Sequence, residues 1–181
     1  MNLDFSPFPE LTSERLVLRA LKISDAKAIF GLRTNKEVNT FITRKLLNNL
    51  SEARAFVDFT TNLSQKAVGI FWGLATKENN EIIGSIGLQN FNIEEKYAEI
   101  GYDLHPNFQE RGFMSEAFQK VLEFTSQKMN LKTIEAFTDK NNSASIALLQ
   151  KHAFKLQIER SDVGFENNRI YRLENPALHN N

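Results

Sequence analysis

One stretch of the sequence constrains the fold more than any other: an alternating strand, a tight polar loop and a long amphipathic helix. Residues Tyr97–Leu104 alternate between two faces, as the residues of a half-buried strand do. Pro106 ends this strand, because proline cannot donate to a sheet ladder. Apolar residues from 112 to 129 share one helical stripe, and a short strand follows at 132–138. A strand, a helix and a second strand in this order predict parallel pairing.

The other segments predict antiparallel partners for the same sheet. Residues 69–76 and 81–91 are rich in aromatic and β-branched residues and flank a turn-forming cluster at 77–80, which predicts a hairpin. Further strands are predicted at 15–20, 154–159 and 169–173, and helices at 26–33, 51–65 and 143–152. Ser24-Asp25 is expected to cap the first helix and Ser51 to open the second. We therefore expect an α/β fold with a mixed, mostly antiparallel central sheet flanked by helices.

The length of the chain bounds its organisation. With 181 residues, of which 41% are hydrophobic, the chain can build one continuous hydrophobic core but is too short for two well-packed ones. We expect a single domain over residues 1–181, with a short arm at 1–10 and a frayed tail at 175–181. The sequence leaves monomer and homodimer open.

Charge and composition exclude several classes of function. Lys and Arg number 22 and Asp and Glu number 22, so we expect no nucleic-acid partner and no anionic membrane partner. The N-terminus lacks a signal-peptide pattern and no apolar run approaches the ~20 residues of a membrane helix, which predicts a cytoplasmic protein. With no cysteine, and with three histidines that lack ligand spacing, the chain is expected to bind no metal.

The polar loop has the composition of a phosphate site. A loop that enters a helix exposes unpaired backbone N–H groups at the positive end of the helix dipole. Gly112 lets the backbone approach a ligand closely, Arg111 adds a fixed positive charge, and Ser115 adds a hydroxyl in the first turn. Taken alone, the pattern is also typical of an ordinary turn between a strand and a helix.

Two motifs resemble those of the GNAT acetyltransferase superfamily. Residues 109–114 (Gln-Glu-Arg-Gly-Phe-Met) resemble its Q/R-x-x-G-x-G/A pyrophosphate loop, with Met114 in place of Gly or Ala. Residues 99–102 (Glu-Ile-Gly-Tyr) resemble the preceding strand of its ribosomal-protein N-terminal acetyltransferase branch. Residues 12–19, followed by Ser24-Asp25, resemble the opening of that branch.

The second motif is a helix near the C-terminus. Residues 142–154 resemble the family pattern N-x-x-S-x-x-x-L-x-K-x-G-F, so that the resemblance spans nearly the whole chain. Ala153 replaces the usual Gly at a position that often needs positive φ, which predicts a penalty on the order of 1 kcal/mol. Leu149 stands where many members carry a Tyr proposed to protonate the departing thiolate.

The resemblance implies acetyl-coenzyme A as cosubstrate and assigns its binding residues. Beside a splayed sheet, Tyr102, Asp103 and Leu104 would line the pantetheine arm. Backbone amides of the loop would hold the pyrophosphate, through Gln109, Glu110, Arg111, Gly112, Phe113, Met114 and Ser115. Asn142 is expected to cap its helix, and the resemblance also brings it near the coenzyme.

Two further residues are implied in the chemistry. Acetyl transfer needs a neutral amine, a polarised carbonyl and a route for the leaving proton. The resemblance implies that Glu99 deprotonates the amine through water and that Ser145 donates a hydrogen bond near the thiol. A solvated surface glutamate and a serine that only packs or caps its helix remain the alternatives. Two segments expected to border the substrate opening, residues 35–50 and 161–168, are expected to determine substrate choice.

The acceptor is a primary amine that the sequence does not identify. At pH 7, deprotonating a lysine side chain costs roughly 3 kcal/mol more than deprotonating an α-amine. A site with a weak base therefore favours a protein N-terminus or a small amine as the acceptor. Polyamines, aminoglycosides and amino-acid derivatives stay open. The alternative function is a noncatalytic coenzyme A-binding protein. A nucleotide-binding regulator ranks last, because the chain has neither a G-x-x-x-x-G-K-[ST] nor a G-x-G-x-x-G run.

Overall fold

The computed structural model describes residues 1–174, which form eight strands and four α-helices. The strands are β1 (Leu11–Thr12), β2 (Leu16–Arg19), β3 (Gly69–Thr76), β4 (Ile82–Asn92), β5 (Tyr97–Leu104), β6 (Thr133–Asp139), β7 (Lys155–Leu156) and β8 (Asn168–Glu174). The helices are α1 (Ala26–Thr34), α2 (Leu50–Gln65), α3 (Phe113–Phe124) and α4 (Ser143–Lys151).

All eight strands belong to one sheet in the order β1-β2-β3-β4-β5-β6-β8-β7. Strands β5 and β6 pair in parallel, and the other neighbours pair antiparallel. The predicted hairpin is β3–β4, and the predicted strand-helix-strand unit is β5–α3–β6. The expected mixed, mostly antiparallel sheet with flanking helices is therefore confirmed.

The alternation of β5 separates the two faces of the sheet. Ala98, Ile100 and Tyr102 pack with residues of α3 and α4 in the larger core, which also holds Trp72 and Phe118. A second core packs α1 and α2 against the opposite face, through Ile29, Leu32, Ala53, Val57 and Ala75. Glu99, Gly101 and Asp103 point toward this second face, because successive strand residues alternate.

Several boundaries differ from the expectation. The carboxylate of Asp25 accepts from Arg19 and from the Lys22 backbone, so a 3₁₀ turn over Ile23–Asp25 precedes α1. Asn49, not Ser51, caps α2, because its side chain accepts from the Glu52 amide at 3.0 Å.

The ends of two later elements differ as well. Helix α3 gives way to a π-helical turn over Thr125–Met129, which ends at left-handed Asn130. Strand β7 is two residues long, where residues 154–159 were expected, because the chain turns away after Leu156. Strand β1, which also has only two residues, was too short to predict.

The N-terminal arm packs on the larger core. Phe5 is buried in that core, and the Pro9 carbonyl accepts from the Trp72 indole at 2.7 Å. The expected frayed tail, 175–181, lies outside the described residues. Within residues 1–174, no helix has the length and apolar character needed to cross a membrane.

Candidate active site

The candidate site opens where β5 and β6 separate. Their parallel register covers three pairs and ends at Glu99 and Glu135. Beyond that point β5 continues along β4 as far as Leu104, and β6 continues along β8 as far as Asp139. From residue 100 onward, the edge of β5 that faced β6 therefore carries backbone groups that no strand of the described chain pairs with. Such groups need hydrogen-bond partners, and an extended amide-containing ligand fits this edge.

Two hydroxyl groups meet beside this opening. The Tyr102 hydroxyl lies 2.7 Å from Ser145 Oγ, and the Tyr102 ring packs edge-on against Phe118 with centroids 5.1 Å apart. Burial raises the pKa of Tyr102 to about 12, although the hydrogen bond with Ser145 opposes the shift. The phenol therefore stays protonated at neutral pH and can donate. The Asn142 side chain accepts from the Ser145 amide at 3.1 Å, so the predicted cap also orients Ser145.

The loop between β5 and α3 has the shape of an anion site. Gly112 occupies the N-cap of α3 at φ 82, and no side chain within residues 1–174 caps that helix end. Glu110 is also left-handed, at φ 57. The Gln109 side chain donates to the Leu104 carbonyl at 3.0 Å, which holds the loop against the end of β5. The uncapped N–H groups and the exposed Arg111 therefore suit a pyrophosphate.

An ion pair from the N-terminal strand region fixes this loop. The Arg15 amide and Nε donate to the Glu116 carboxylate at 2.7 and 2.8 Å, and Arg15 Nη1 donates to the Arg111 carbonyl at 3.1 Å. Burial alone would raise the pKa of Glu116, but hydrogen bonds from Ser13 and Arg15 hold it below its ordinary value. Glu116 therefore stays ionised and keeps Arg15 in place.

Several side chains assigned to coenzyme binding point elsewhere. Phe113 and Met114 are buried in the larger core, and Ser115 Oγ lies 3.0 Å from His152 Nε2. The Asp103 carboxylate is buried on the opposite face, where it accepts from Ser85 at 2.6 Å and pairs with Arg44. At positions 103 and 113–115 the backbone is therefore the part available to a coenzyme.

Glu99, which with Glu135 forms the last parallel pair, is half-buried on the face of the sheet that carries α1 and α2. Asn90 Nδ2 donates to its Oε2 at 2.8 Å, and the Tyr97 hydroxyl lies 3.3 Å from its Oε1. Burial and the neighbouring carboxylates raise the pKa of Tyr97, so that phenol remains a donor. The Glu99 carboxylate thus has two polar neighbours on this face.

The sequence reasoning missed a buried carboxylate next to Glu99. Glu135, the register partner of Glu99, is 1% exposed. Both of its oxygens accept from Arg160, and Tyr97 lies 3.1 Å from Oε2. A glutamate between Ile134 and Ala136 in a buried strand was the available signal, but its arginine partner is distant in sequence.

A cavity of about 560 Å³ lies at the opposite, fully paired end of β5. Its lining mixes both charges, from Glu95, Tyr97, Lys132, Thr133, Arg172 and Glu174. The unpaired edge, the open helix end and the two hydroxyls converge elsewhere, so we assign the site to the opening between β5 and β6. Among residues 1–174, no group of three or more His, Asp and Glu side chains is arranged to hold a metal.

Comparison with known proteins identifies the family. The sequence model of the acetyltransferase (GNAT) domain matches residues 15–155. The chain is 33% identical over 148 residues to the uncharacterized N-acetyltransferase YoaA of Bacillus subtilis (strain 168), covering 82% of this chain and 84% of YoaA. It is also 33% identical over 145 residues to the uncharacterized N-acetyltransferase p20 of Bacillus licheniformis, covering 80% and 82%.

Two solved structures share the fold. RimL, a ribosomal L7/L12 alpha-N-protein acetyltransferase in complex with coenzyme A, has a TM-score of 0.82 at 22% identity, over 93% of this chain and 99% of that one. MccE, a microcin C7 self-immunity acetyltransferase in complex with acetyl-CoA and AMP, has a TM-score of 0.75 at 19% identity, over 90% and 93%. These matches do not single out the ribosomal-protein branch, and none supports the noncatalytic alternative. The chain belongs to the GNAT family of acetyltransferases.

Proposed function

We propose that the protein transfers an acetyl group from acetyl-coenzyme A to a primary amine. The observation that carries the proposal is the opening between β5 and β6, with the Tyr102–Ser145 pair on one face and Glu99 on the other. A thioester in this opening would have a proton donor on one side and a base on the other. Acyl transfer to an amine needs both.

The coenzyme would bind along the free edge of β5 and at the start of α3. The pantetheine amides would pair with backbone groups of Tyr102, Asp103 and Leu104, and the pyrophosphate would rest on amides of the loop 109–115. Arg111 would add a charge-assisted contact. RimL and MccE, which share the fold, bind coenzyme A and acetyl-CoA respectively, which supports this assignment.

Glu99 would act on the acceptor. The amine nitrogen attacks the thioester carbonyl carbon, a C–N bond forms, and the C–S bond breaks. The ammonium proton must leave before attack, and Glu99 can take it through one water. The hydrogen bond from Asn90 holds the carboxylate, and the single Tyr97 hydroxyl hydrogen is shared between Glu99 and Glu135, so little reorganisation is needed when the proton arrives.

Ser145 and Tyr102 would serve the departing thiolate. A serine hydroxyl is a weak acid, but Tyr102, protonated because burial raises its pKa to about 12, can donate to Ser145 Oγ. The Ser145 hydrogen is then free to point at the sulfur. The pair would thus replace the family tyrosine, whose position is occupied here by Leu149 in the core. The thiolate receives its proton from the pair or from water that the pair orients.

An α-amine or another weakly basic amine is the acceptor that this arrangement favours. A lysine side chain costs roughly 3 kcal/mol more to deprotonate at pH 7 than an α-amine does. A single glutamate that acts through water is a modest base, so the easier amine is the better match.

The deciding test is acetyl-coenzyme A binding by calorimetry, followed by amine-dependent thiol release. Gly112→Asp places a negative charge and a strained residue in the loop, and it should abolish binding. Gly164→Asp is the matched control for coenzyme binding alone, because Gly164 is also left-handed, at φ 87, but lies outside the coenzyme loop, in the segment 161–168 assigned to substrate choice. Failure of the folded parent to bind acetyl-coenzyme A, or equal binding by Gly112→Asp, would contradict the proposal.

A further inference from the structure

An open space lies above Gly101, in the middle of the sheet. Gly101 is exposed, and a Cβ placed on it would have no heavy atom within 4 Å. Its register partner Gly87 is covered, because a Cβ there would meet the Phe71 ring at 2.6 Å. We call the space above Gly101, bounded along β5 by Glu99 and Asp103, the acceptor hollow.

The Asp103 end of the acceptor hollow holds an arginine. Arg44 Nη1 pairs with the Asp103 carboxylate at 2.7 Å, and Arg44 Nε donates to Asn39 Oδ1 at 2.6 Å. Arg44 Nη2 is buried and has no hydrogen-bond partner among residues 1–174. One nitrogen of this guanidinium is thus left for a group that residues 1–174 do not supply.

A second arginine stands close to the first. Arg33, in the last turn of α1, stacks on Phe56 with its guanidinium 3.9 Å from the ring centroid. Phe56 in turn packs edge-on against Phe71, the ring that covers Gly87. In the part of the chain that the structure describes, Arg33 Nε is also buried without a hydrogen-bond partner. Arg33 is also close enough to Arg44 and Asp103 for their charges to act on it, so it belongs to the Asp103 end of the acceptor hollow.

The charges in this corner do not balance. Burial and, to a lesser extent, the charge of Arg44 lower the pKa of Arg33 to about 10, and Asp103 only partly opposes the shift. Asp103 is already paired with Arg44. Two guanidinium groups thus share one carboxylate, and buried donors without partners are costly in a folded protein. Buried donors without partners are expected where a bound ligand supplies the missing acceptor.

We propose that Arg33 and Arg44 form a subsite for an anionic group, a carboxylate or a phosphate, carried by the acceptor amine. The planar guanidinium fork matches either group. Glu99 and Asp103 are four residues apart, about 13 Å along β5, so an acceptor lying over Gly101 can reach the base with its amine and the arginines with its anion. This inference rests on the proposed function, and it selects amino-acid-like or phosphorylated amines over polyamines.

Matched acceptor pairs test the subsite. Thiol release is measured with glycylglycine against glycylglycinamide and with O-phosphoethanolamine against ethanolamine, which separates carboxylate from phosphate. We expect kcat/KM of the parent to be about tenfold or more higher for the anionic member of at least one pair. Arg33→Met, which keeps the stem on Phe56, should remove this preference and leave the neutral amine and the Kd of acetyl-coenzyme A unchanged. Arg54→Met, at an exposed position of α2, is the control and should change neither.

Two further readouts separate binding from structure and from catalysis. The Arg33 Nε–H resonance, assigned by its loss in Arg33→Met, should shift when glycylglycine or O-phosphoethanolamine is added, with or without coenzyme A, since no turnover occurs in either case. The Tm of Arg33→Met should equal or exceed that of the parent, because a costly buried charge has been removed.

The outcomes are distinguishable. Equal rates for both members of each pair, no shift of the Arg33 resonance, or a lower Tm with equal loss toward all amines would overturn the subsite. Absence of acetyl-coenzyme A binding would overturn the proposed function instead, and the Arg33 resonance would still report on the subsite.

Discussion

The hydroxyl groups of Tyr102 and Ser145 lie 2.7 Å apart, three residues along β5 from its last pair with β6. They are 43 residues apart in sequence and belong to different elements, a strand and the first turn of α4. Their contact joins two residues that the sequence assigns separately, one to the coenzyme arm and one to the thiol. A pair of this kind acts as a unit, so its members should not contribute independently.

The pair predicts non-additive losses of activity. Tyr102→Phe keeps the packing on Phe118 but removes the donor to Ser145, and kcat should fall about tenfold. Ser145→Ala removes the hydroxyl that we propose faces the sulfur, and kcat should fall about a hundredfold. The double variant should be no slower than Ser145→Ala alone, because Tyr102 acts through Ser145. The measurement is steady-state thiol release together with acetyl-coenzyme A affinity, and additive losses would contradict the relay.

The Arg15–Glu116 pair predicts that coenzyme affinity depends on a residue far from the loop in sequence, because Arg15 lies in the turn between β1 and β2. Arg15→Met should raise the Kd of acetyl-coenzyme A by about three- to tenfold, because the loop loses the contact that fixes the Arg111 carbonyl. Lys120→Met is the control, since it breaks the partly exposed Lys120–Glu123 pair on the same helix. Calorimetry measures both. Equal affinities for Arg15→Met and Lys120→Met would show that the loop keeps its shape without Arg15.

Ala153 predicts a gain in stability. It adopts φ 64, the left-handed conformation that the family glycine would hold without strain. Ala153→Gly should therefore raise the free energy of unfolding by about 1 kcal/mol. Ala147→Gly, at an exposed position inside α4, should lower it by about 1 kcal/mol. Urea denaturation measures both, and a loss of stability in Ala153→Gly would show that the alanine is not strained.

Local motifs predicted local geometry well. The motif patterns anticipated the positive φ at Ala153 and the Asn142 cap, because each depends on a few neighbouring residues. They also located the loop at Gly112. Local sequence is enough for these features, since the backbone conformation of a cap or turn is set within one or two helical turns.

Contacts between distant segments were beyond the same reasoning. Glu135 pairs with Arg160, which comes directly after the segment predicted as a strand at 154–159. Arg44 pairs with Asp103, which lies 59 positions further along the chain. A hydropathy pattern shows which face of a strand is buried, but not which charge from another segment will meet it. The acceptor side of the site is built mainly from such contacts.

His152 predicts a dependence of stability on pH. Burial and the charge of Lys151 lower its pKa below the ordinary value of 6.5, and the hydrogen bond with Ser115 only partly opposes this. Below pH 6.5 the unfolded chain therefore binds more protons at this residue than the folded protein does. Its contribution to stability is fully present above pH 6.5 and is lost as the pH falls toward the lowered pKa. Denaturation between pH 7.5 and 5.5 should show a smaller decline for His152→Gln than for the parent, and equal declines would contradict the shift.

A substitution at Gly101 is predicted to weaken acceptor binding without changing coenzyme binding. A valine side chain at this position would enter open space, so Gly101→Val should fold and should bind acetyl-coenzyme A with unchanged Kd. The same side chain would occupy part of the acceptor hollow beside Glu99, so the KM for the amine should rise about tenfold or more because the amine loses that space. Gly31→Ala, at another glycine with open space but on α1, is the control and should leave both constants unchanged. A normal amine KM in Gly101→Val would show that the acceptor does not bind on the face of β5 that carries Glu99. Loss of coenzyme binding would instead show that the coenzyme also occupies the space above Gly101.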